Sequence, residues 1–225
     1  MNGLGLFAGV GGLELGLYLT IPTYSTVCFV EFAEFPQKVL SSRFPETPIW
    51  DDVRSFRGTE WRGSIDIITA GFPCQLYSRA ARGRNRGEPL WPEVVRLVEE
   101  VHPRQVFLEN VPAAPWDEVS NGLRNLGYNC ASRVFCSSEV GAPTRRRRVF
   151  LLATDPHRHG QSVGTLNAQT PRLSQASKDS AKTPRSVRVV NGTTNWVDRF
   201  RACGNAVIPE MAALAYTELN VINGG

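Results

Sequence analysis

The chain has 225 residues and a mass of 24.9 kDa, which is enough for one full domain but too little for two independent hydrophobic cores. Hydrophobic residues make up 42% of it and charged residues 20%, so we expect a packed core and exclude a disordered chain. The net charge is +4, and Lys38, Lys178 and Lys182 are the only lysines among 25 basic residues. This excess of arginine suits contacts with phosphates and bases, but a GC-rich source produces it as well, so it favours nucleic acid only weakly.

The sequence contains no sign of a membrane segment or of a metal centre. No apolar run approaches the roughly 20 residues that cross a bilayer, and no secretory signal is recognisable at the N-terminus. We therefore expect a cytoplasmic protein. A disulfide framework and a zinc site are not expected either, because no C-x-x-C spacing occurs among the five cysteines, Cys28, Cys74, Cys130, Cys136 and Cys203.

Short apolar strands alternate with amphipathic helices through the first 154 residues, and this alternation predicts an α/β fold with a mostly parallel, doubly wound sheet. In chain order, the predicted strands are 4–7, 26–31, one that ends near 51–53, then 65–70, 105–109, 128–137 and 148–154. The helices predicted between them are 13–19, one from about 33, 90–101 and 116–126. The strands at 65–70 and 105–109 are expected to be neighbours in the sheet.

The character of the sequence changes after Thr154. Residues 155–191 are rich in Ser, Thr, Gln, Arg and Pro and poor in large apolar side chains, which is typical of a linker or a small appended element. A last helix is predicted from Pro209, with an apolar stripe that should pack back on the sheet: Met211, Leu214, Ala215 and Leu219. We therefore divide the chain into a main domain, 1–154, a small segment, 155–195, and a C-terminal segment, 196–225, that completes the main domain.

Residues at the ends of the first strands point to a nucleotide-like ligand. The glycine-rich turn 7–12 joins the first strand to the first helix, so its backbone N–H groups can approach a ligand at the helix N-terminus. Glu31 ends the second strand, where a doubly wound fold presents a carboxylate to a ribose diol. Asp52, near the end of the third strand, either accepts a hydrogen bond from an adenine amine or is an ordinary solvated turn residue.

A candidate nucleophile, Cys74, follows the fourth strand, at the sheet edge where open α/β folds keep their sites. Most lone cysteines pack in cores. This one comes after a proline turn and before a loop that carries four arginines, so a lowered thiolate pKa is physically reasonable: Arg79, Arg82, Arg84 and Arg86. Glu109 ends the neighbouring fifth strand in the tripeptide Glu-Asn-Val, and its carboxyl could face the thiol.

Taken in chain order, these segments resemble the motifs of the cytosine-C5 DNA methyltransferases, which use S-adenosylmethionine. The resemblance covers nearly all of the chain outside 155–195, and its motifs are 7–12, Glu31, Asp52, 71–75, 109–111, 145–148 and 204–207 with Pro209. It implies a Rossmann-like fold of the class I methyltransferase type, with a small irregular insert before a C-terminal helix that packs on the sheet. It also implies that 1–154 holds the catalytic and cofactor sites.

The resemblance assigns roles to individual residues of this chain. Catalytic roles fall to Cys74, Glu109, Arg146 and Arg148. The cofactor site falls to Phe7, Gly9, Val10, Gly11, Gly12, Glu31, Phe32, Asp52, Val53, Phe72, Pro73, Leu90, Asn205 and Ala206. Contacts with double-stranded DNA fall to Gln75, Ser78, Arg79, Arg82, Arg84 and Arg86, and the loop 76–88 is expected to close on the DNA. The implied product of the cofactor is S-adenosylhomocysteine, and no metal is implied.

The implied mechanism also makes chemical sense by itself. Addition of the Cys74 thiolate to C6 pushes electrons into a cytosine ring whose C5 is otherwise a poor nucleophile, and Glu109 neutralises the charge that develops at N3. Arg146 would hold the cytosine O2, and Arg148 would orient that arginine or the loop of Cys74. The base must leave the duplex for this chemistry, so base flipping is expected.

The chain departs from the family pattern in three places. Thr144 replaces the glutamine of the arginine motif, and the residues 76–82 differ from the usual sequence after the nucleophile. The segment 155–195 is much smaller than the usual target-recognition region. We therefore expect either a short target of roughly two to four base pairs or recognition by a partner protein or a second copy of the chain.

Two other functions remain open. A relative without catalytic activity would bind cofactor or DNA as the subunit of a larger complex, and an RNA cytosine methyltransferase would use the same chemistry on another substrate. Joint retention of Cys74, Glu109, Arg146 and Asn205 favours an active enzyme, and the sequence of 71–75 is of the DNA type. The expected setting is the cytoplasm of a prokaryotic cell or of a phage-infected host.

Overall fold

A computed structural model describes residues 1–73, 89–158 and 206–224 of the chain. The strands over these residues are β1 Asn2–Leu6, β2 Ser25–Val30, β3 Ile49–Trp50, β4 Ile67–Ala70, β5 Gln105–Asn110, β6 Asn129–Cys136 and β7 Arg147–Thr154. The α-helices are α1 Gly12–Thr20, α2 Glu34–Arg43, α3 Trp91–Val101, α4 Trp116–Asn125 and α5 Pro209–Ile222. Most bounds differ from the predicted ones by one or two residues.

The strands form one sheet in the order β3-β2-β1-β4-β5-β7-β6. Neighbouring strands from β3 through β5 run parallel, whereas β7 runs antiparallel to both β5 and β6. The predicted Rossmann-like, mostly parallel sheet is therefore confirmed, as is the pairing of the fourth strand with the fifth. Because the order reverses beside β1, the carboxyl ends of β1 and β4 flank the crevice in which such folds bind their ligands.

Alternate residues of the central strands enter two hydrophobic cores, one on each face of the sheet. Leu4, Ile68 and Val106 point into the first core, where they meet the apolar stripe of α3. Ile67 and Phe107 point into the second core, together with apolar residues of α1 and α5. This alternation follows from the two-residue period of a strand. The prediction that the last helix packs back on the sheet is confirmed.

Contact between α1 and α5 is close because α1 carries glycines where the two helices meet. A Cβ on Gly16 would lie 2.5 Å from the Cβ of Ala212 and 2.7 Å from the carbonyl oxygen of Pro209. A Cβ on Gly12 would overlap the carbonyl oxygen of Val207, just before α5. The start of α5 is thus held against the first turn of α1, directly after the glycine-rich turn.

We expect Gly16→Ala to destabilise the protein by about 1 to 3 kcal/mol, because the added methyl group overpacks the contact with Ala212 and Pro209. Helix propensity alone predicts the opposite sign, a gain of about 1 kcal/mol. The midpoint of denaturant unfolding measures the change. Gly122→Ala in α4 is the matched control, since its Cβ would lie 3.3 Å from its nearest neighbour, Cζ2 of Trp91. Equal stability changes in the two variants would contradict the described packing.

Candidate active site at the carboxyl edge of the sheet

The carboxyl ends of four parallel strands bring the predicted site residues together. A Cβ on Gly71, after β4, would lie 3.8 Å both from the carbonyl oxygen of Phe7 and from Oε2 of Glu109. On the other side of β1, the backbone N–H of Ala8 donates to the carbonyl oxygen of Val30 across 3.4 Å. The ends of β1, β2, β4 and β5 therefore line one continuous edge.

The glycine-rich turn 7–12 is fixed to Glu31 by a hydrogen bond. The backbone N–H of Gly9 donates to Oε2 of Glu31 across 2.8 Å, and that of Ala33 donates to Oε1 across 2.8 Å. Gly9 and Gly11 have φ angles of +56° and +80°, which glycine adopts without the strain other residues incur. The turn thus holds the Glu31 carboxylate at the edge of the sheet, where it keeps lone pairs for a further donor.

The other described residues of the predicted cofactor site differ in their exposure and packing. The side chain of Phe32, the residue after Glu31, is 75% exposed, whereas Val53 is buried. Phe7 and Leu90 pack at the margin of the first core. Ala206 precedes the residue that contacts Gly12, so the last predicted motif approaches the first. This arrangement leaves one large aromatic face uncovered beside an acceptor carboxylate, as a nucleoside site requires.

Asp52 lies two residues beyond β3, and its carboxylate is already bound by a neighbour. The Arg54 side chain donates to both Asp52 oxygens, at 3.0 Å to Oδ1 and 2.9 Å to Oδ2, and the Arg54 backbone N–H donates to Oδ1 at 3.0 Å. These bonds hold the pKa of the Asp52 carboxyl below its ordinary value. Any contact of Asp52 with a cofactor would therefore be shared with Arg54.

Glu109 is a buried carboxyl paired with an arginine. Its side chain lies at the carboxyl end of β5, and Oε1 is 2.8 Å from Nε of Arg148 on β7. Burial raises the pKa of Glu109 to about 7, although the positive charges of Arg148 and Arg146 act in the opposite direction. Near neutral pH this carboxyl is therefore present in both protonation states, and it can donate or accept a proton.

The turn before β7 is held by a serine that sequence analysis missed. Oγ of the buried Ser137 donates to the carbonyl oxygen of Thr144 at 2.5 Å and accepts from the backbone N–H of Arg146 at 3.0 Å. The backbone N–H of Ser137 in turn donates to the carbonyl oxygen of Arg146 at 2.9 Å. Ser137 therefore sets the course of the backbone that carries Arg146, and its position at the end of a predicted strand gave no signal of this.

Asn110 joins the turn after β4 to the end of β5. Its buried side-chain amide donates to the carbonyl oxygen of Phe72 across 3.0 Å, and its Oδ1 accepts from the backbone N–H of Val111 across 2.8 Å. The ring of Phe72 packs against those of Trp91 and Trp116, with centroid distances of 5.7 and 6.2 Å. Phe72 and Pro73 are thus anchored to the strand that carries Glu109. The sequence placed Asn110 in a motif but gave it no role.

A family model described as C-5 cytosine-specific DNA methylase matches residues 1–205. The chain belongs to this family. The resemblance found in the sequence is therefore confirmed.

Relatives of the chain include viral and bacterial proteins. The type II methyltransferase M.CviJI of Paramecium bursaria Chlorella virus IL3A is 31% identical over 225 residues, which cover 96% of this chain and 58% of the relative. M2.BsuMI of Bacillus subtilis is 34% identical over 170 residues, which cover 68% of this chain and 42% of the relative. The chain thus spans about half the length of the curated relatives it matches.

The fold of the chain is shared with solved structures. The Dnmt2 methyltransferase of S. pombe matches with a TM-score of 0.58 and 20% sequence identity, over 68% of this chain and 50% of that one. At this identity the match supports the fold alone. It agrees with the class I methyltransferase sheet that the sequence predicts.

Several predicted site residues lie outside the described part of the chain. These are Cys74, Gln75, Ser78, Arg79, Arg82, Arg84, Arg86 and Asn205, and the segment 155–195 is described only as far as Arg158. Their roles stay predictions. Over the three described ranges, no group of three or more His, Cys, Asp or Glu side chains could hold a metal ion, and no helix is long and apolar enough to cross a membrane.

We expect Glu109→Gln to weaken the pH dependence of folding stability between about pH 4.5 and 7. Folded Glu109 keeps its proton up to a pKa of about 7, whereas the unfolded chain releases it near the ordinary value of 4.5. The free energy of unfolding therefore falls as the pH rises through this window, by at most about 1.4 kcal/mol per pH unit for one such group. Denaturant unfolding at several pH values measures the slope. Glu46→Gln, an exposed control, should keep the wild-type slope, and so would Glu109→Gln if this carboxyl were not buried.

Proposed function

We propose that this chain transfers a methyl group from S-adenosylmethionine to C5 of cytosine in DNA, through a covalent intermediate on Cys74. One observation carries the proposal: Glu109, buried beside Arg148, lies at the carboxyl end of β5, next to β4, and β4 leads through an anchored turn to Cys74. Membership of the C-5 cytosine-specific DNA methylase family supports it. Because the chain covers about half of its relatives, the activity of the whole protein is part of the proposal.

The residues around the glycine-rich turn fit the proposed cofactor. No atom lies within 4 Å of the position that a Cβ on Gly9 would occupy, so the turn is open on that side. The Glu31 carboxylate would accept the ribose hydroxyls, and the uncovered ring of Phe32 would pack against the adenine. When bound, the cofactor supplies an electrophilic methyl group.

Cys74, as the nucleophile, and Glu109, as the group that exchanges a proton with N3, would act on the cytosine ring in turn. The Cys74 thiolate forms an S–C6 bond, and the electron pair of the C5–C6 double bond moves to C5 as the ring nitrogen N3 gains a proton. C5 would then form its bond to the methyl group as the bond between that methyl group and the sulfonium sulfur breaks, and the electron pair of the broken bond would remain on the sulfur of S-adenosylhomocysteine. Solvent water takes the C5 proton, the electron pair of the C5–H bond restores the C5–C6 double bond, the S–C6 bond breaks, and Cys74 leaves as a thiolate.

Glu109 is suited to hold the proton at N3 because its pKa lies near neutrality. In its acid form it donates to N3 and neutralises the ring, and in its carboxylate form it accepts the proton back. As the pH rises through about 7, the acid form of Glu109 is lost, and we expect methyl transfer to slow because the proton for N3 is no longer available. Arg148 keeps the carboxyl in place through its ion pair, and Arg146 would hold the cytosine O2.

The remaining part of the proposal concerns DNA. A cytosine inside a stacked duplex cannot receive the thiolate, so the base is flipped into the edge formed by β4 and β5. We propose that Gln75, Ser78 and the arginines of 76–88 contact the DNA, and that residues 155–195 read the target or link the catalytic domain, 1–154, to the C-terminal segment, 196–225. Phosphate contacts by arginine make affinity fall with salt.

Methyl transfer to double-stranded DNA, single-stranded DNA and RNA, measured in parallel with labelled S-adenosylmethionine, tests the substrate. We expect transfer to double-stranded DNA. Transfer to RNA alone would identify an RNA cytosine methyltransferase, and cofactor binding without any transfer would identify a non-catalytic subunit or a chain that needs a partner.

We expect Cys74→Ser to abolish methyl transfer and to abolish covalent trapping on DNA that contains 5-fluorocytosine, since that base cannot lose its C5 substituent. Cofactor binding should survive, because the change removes the nucleophile alone. Cys130→Ser is the control: Cys130 pairs with Ala153 on the opposite edge of the sheet, so trapping should remain. Turnover by Cys74→Ser at the wild-type rate would remove Cys74 from the mechanism.

Glu31→Ala should lose about 1.5 to 3 kcal/mol of cofactor affinity, the scale of hydrogen bonds to a charged group. The loss combines the ribose contact with a looser glycine-rich turn, since Gly9 loses its acceptor. Calorimetry measures the dissociation constant. Glu34→Ala, at an exposed position on α2 that pairs with Lys38, should leave the affinity unchanged. An unaltered dissociation constant in Glu31→Ala would exclude Glu31 from the site.

A further inference from the structure

A second buried carboxyl, Glu14, has no part in the chemistry described so far. It lies in the first turn of α1 and is 1% exposed. Its side chain crosses to the sheet over Gly5 of β1, where a Cβ would lie 2.6 Å from Oε1 of Glu14. Oε1 accepts a hydrogen bond from Oγ1 of Thr69 on β4 across 2.6 Å. Glu14 therefore connects the helix after the glycine-rich turn to the strand before Cys74.

The surroundings of Glu14 provide hydrogen bonds in both of its protonation states. Oγ1 of Thr69 lies 2.6 Å from Oε1 of Glu14 and 3.4 Å from the carbonyl oxygen of Leu4. When Glu14 is a carboxylate, the single hydroxyl proton of Thr69 goes to it. When Glu14 is protonated on Oε1, it donates to Thr69, which is then free to donate to Leu4. The Thr69 hydroxyl thus has a hydrogen-bond acceptor in both protonation states of Glu14. The acceptor is Glu14 of α1 when Glu14 is ionised, and the carbonyl oxygen of Leu4 of β1 when Glu14 is protonated.

The charged form is nevertheless poorly compensated. Oε2 of Glu14 is buried with no hydrogen-bond partner among the described residues, and no basic side chain is paired with the carboxyl in that part of the chain. Burial raises the pKa of Glu14 to about 7, and the negative charge of Glu31 acts in the same direction. A positive charge delivered to this region would therefore favour loss of the proton.

The groups that face Glu14 from the packed elements are few. Glu31 follows β2, the Tyr24 hydroxyl precedes β2, and the hydroxyl of Thr69 comes from β4. On the other side of α1, α5 makes its close contacts through Ala212 and Pro209, which do not ionise. Glu31, the residue proposed to hold the ribose, is thus the charged group that already acts on Glu14. In S-adenosylmethionine the sulfonium is joined to the ribose by one methylene group, so a ribose held by Glu31 would bring a cation that acts on Glu14 with the opposite sign.

We propose that Glu14 is a positioning residue of the cofactor site whose carboxyl loses its proton to solvent when the sulfonium cofactor binds. This inference rests on the proposed function, because it requires that the chain binds S-adenosylmethionine. The sulfonium carries a positive charge that the thioether of S-adenosylhomocysteine lacks. The ionised Glu14 therefore favours the methyl donor over the spent product, and this preference grows as the pH rises and Glu14 ionises.

Calorimetry with the full chain tests the inference. Both ligands are titrated between pH 6 and 8 in two buffers of different ionisation enthalpy, which gives the number of protons released on binding. We expect release near pH 7 to be greater for S-adenosylmethionine, up to about half a proton for a group that is half ionised. The ratio of the dissociation constant of S-adenosylhomocysteine to that of S-adenosylmethionine should rise about fivefold from pH 6 to 8.

Three variants assign the proton to its residue. Glu14→Gln keeps an acceptor for Thr69 but cannot ionise, so the extra release and the pH dependence of the ratio should both disappear. Glu109→Gln removes the other buried carboxyl with a pKa of about 7 and should keep both effects. Thr69→Val removes the hydroxyl that stabilises the carboxylate, so release should move to higher pH. The ionising amino group of the ligands is common to all variants and cancels in the comparison.

The possible results separate the two proposals. Binding of both ligands with equal proton release in the wild type would overturn the inference and leave the proposed function standing. Wild-type release in Glu14→Gln, or its loss in Glu109→Gln, would overturn the inference as well. If Glu14→Gln does not fold, the wild type, Thr69→Val and Glu109→Gln decide between the same outcomes. If neither ligand binds, the proposed function fails and the inference fails with it.

Discussion

The position of β4 between β1 and β5 is the constraint on which the candidate site depends. Its four residues pair with β1 on one side and β5 on the other, so the turns that follow all three strands meet at one edge. The carboxyl of Glu109 thereby comes near Gly71 without a long loop to carry it. Asn110 then fixes the turn after β4 to the same strand. A slip of one residue in this register would turn Thr69 away from α1 and into the opposite core.

Burial has different consequences for the two carboxyls with raised pKa values, because their partners differ. Glu109 lies beside two arginines, which make its charged form available to a substrate at the open edge. Glu14 has a hydroxyl for a partner and lies under a helix, where no substrate reaches it. The same desolvation thus suits Glu109 to the proton exchange with cytosine that we propose, and Glu14 to the proposed response to a nearby charge. Both carboxyls are buried, so the difference between their proposed roles comes from the groups that surround them.

The sequence predicted the strands, the helices and the strand-end residues, because apolar periodicity and the order of motifs are local properties of the chain. Glu31 and Glu109 were found in this way, since a residue at the end of a buried strand has a known place in an α/β fold. Glu14 gave no such signal: a glutamate among leucines on a short helix reads as a solvated position. Its carboxyl lies against Gly5 of β1, where a larger residue would collide with it, and bonds to Thr69 of β4. The buried position of Glu14 therefore depends on the pairing of these two strands. The bridge from Asn110 to Phe72 is likewise a product of strand pairing.

The contact of Val207 with Gly12 has a consequence for the order of events during synthesis. The glycine-rich turn leaves the ribosome long before the backbone that covers the first turn of α1, because Gly12 and Val207 lie far apart in the chain. Closing so long a loop is entropically costly and slow. The nascent sheet can pair its parallel strands early, but α1 keeps a bare glycine face until α5 arrives. During that interval Leu13 and Leu17 of α1 lack the apolar residues of α5 that later cover them, and Gly12 lacks its contact with Val207.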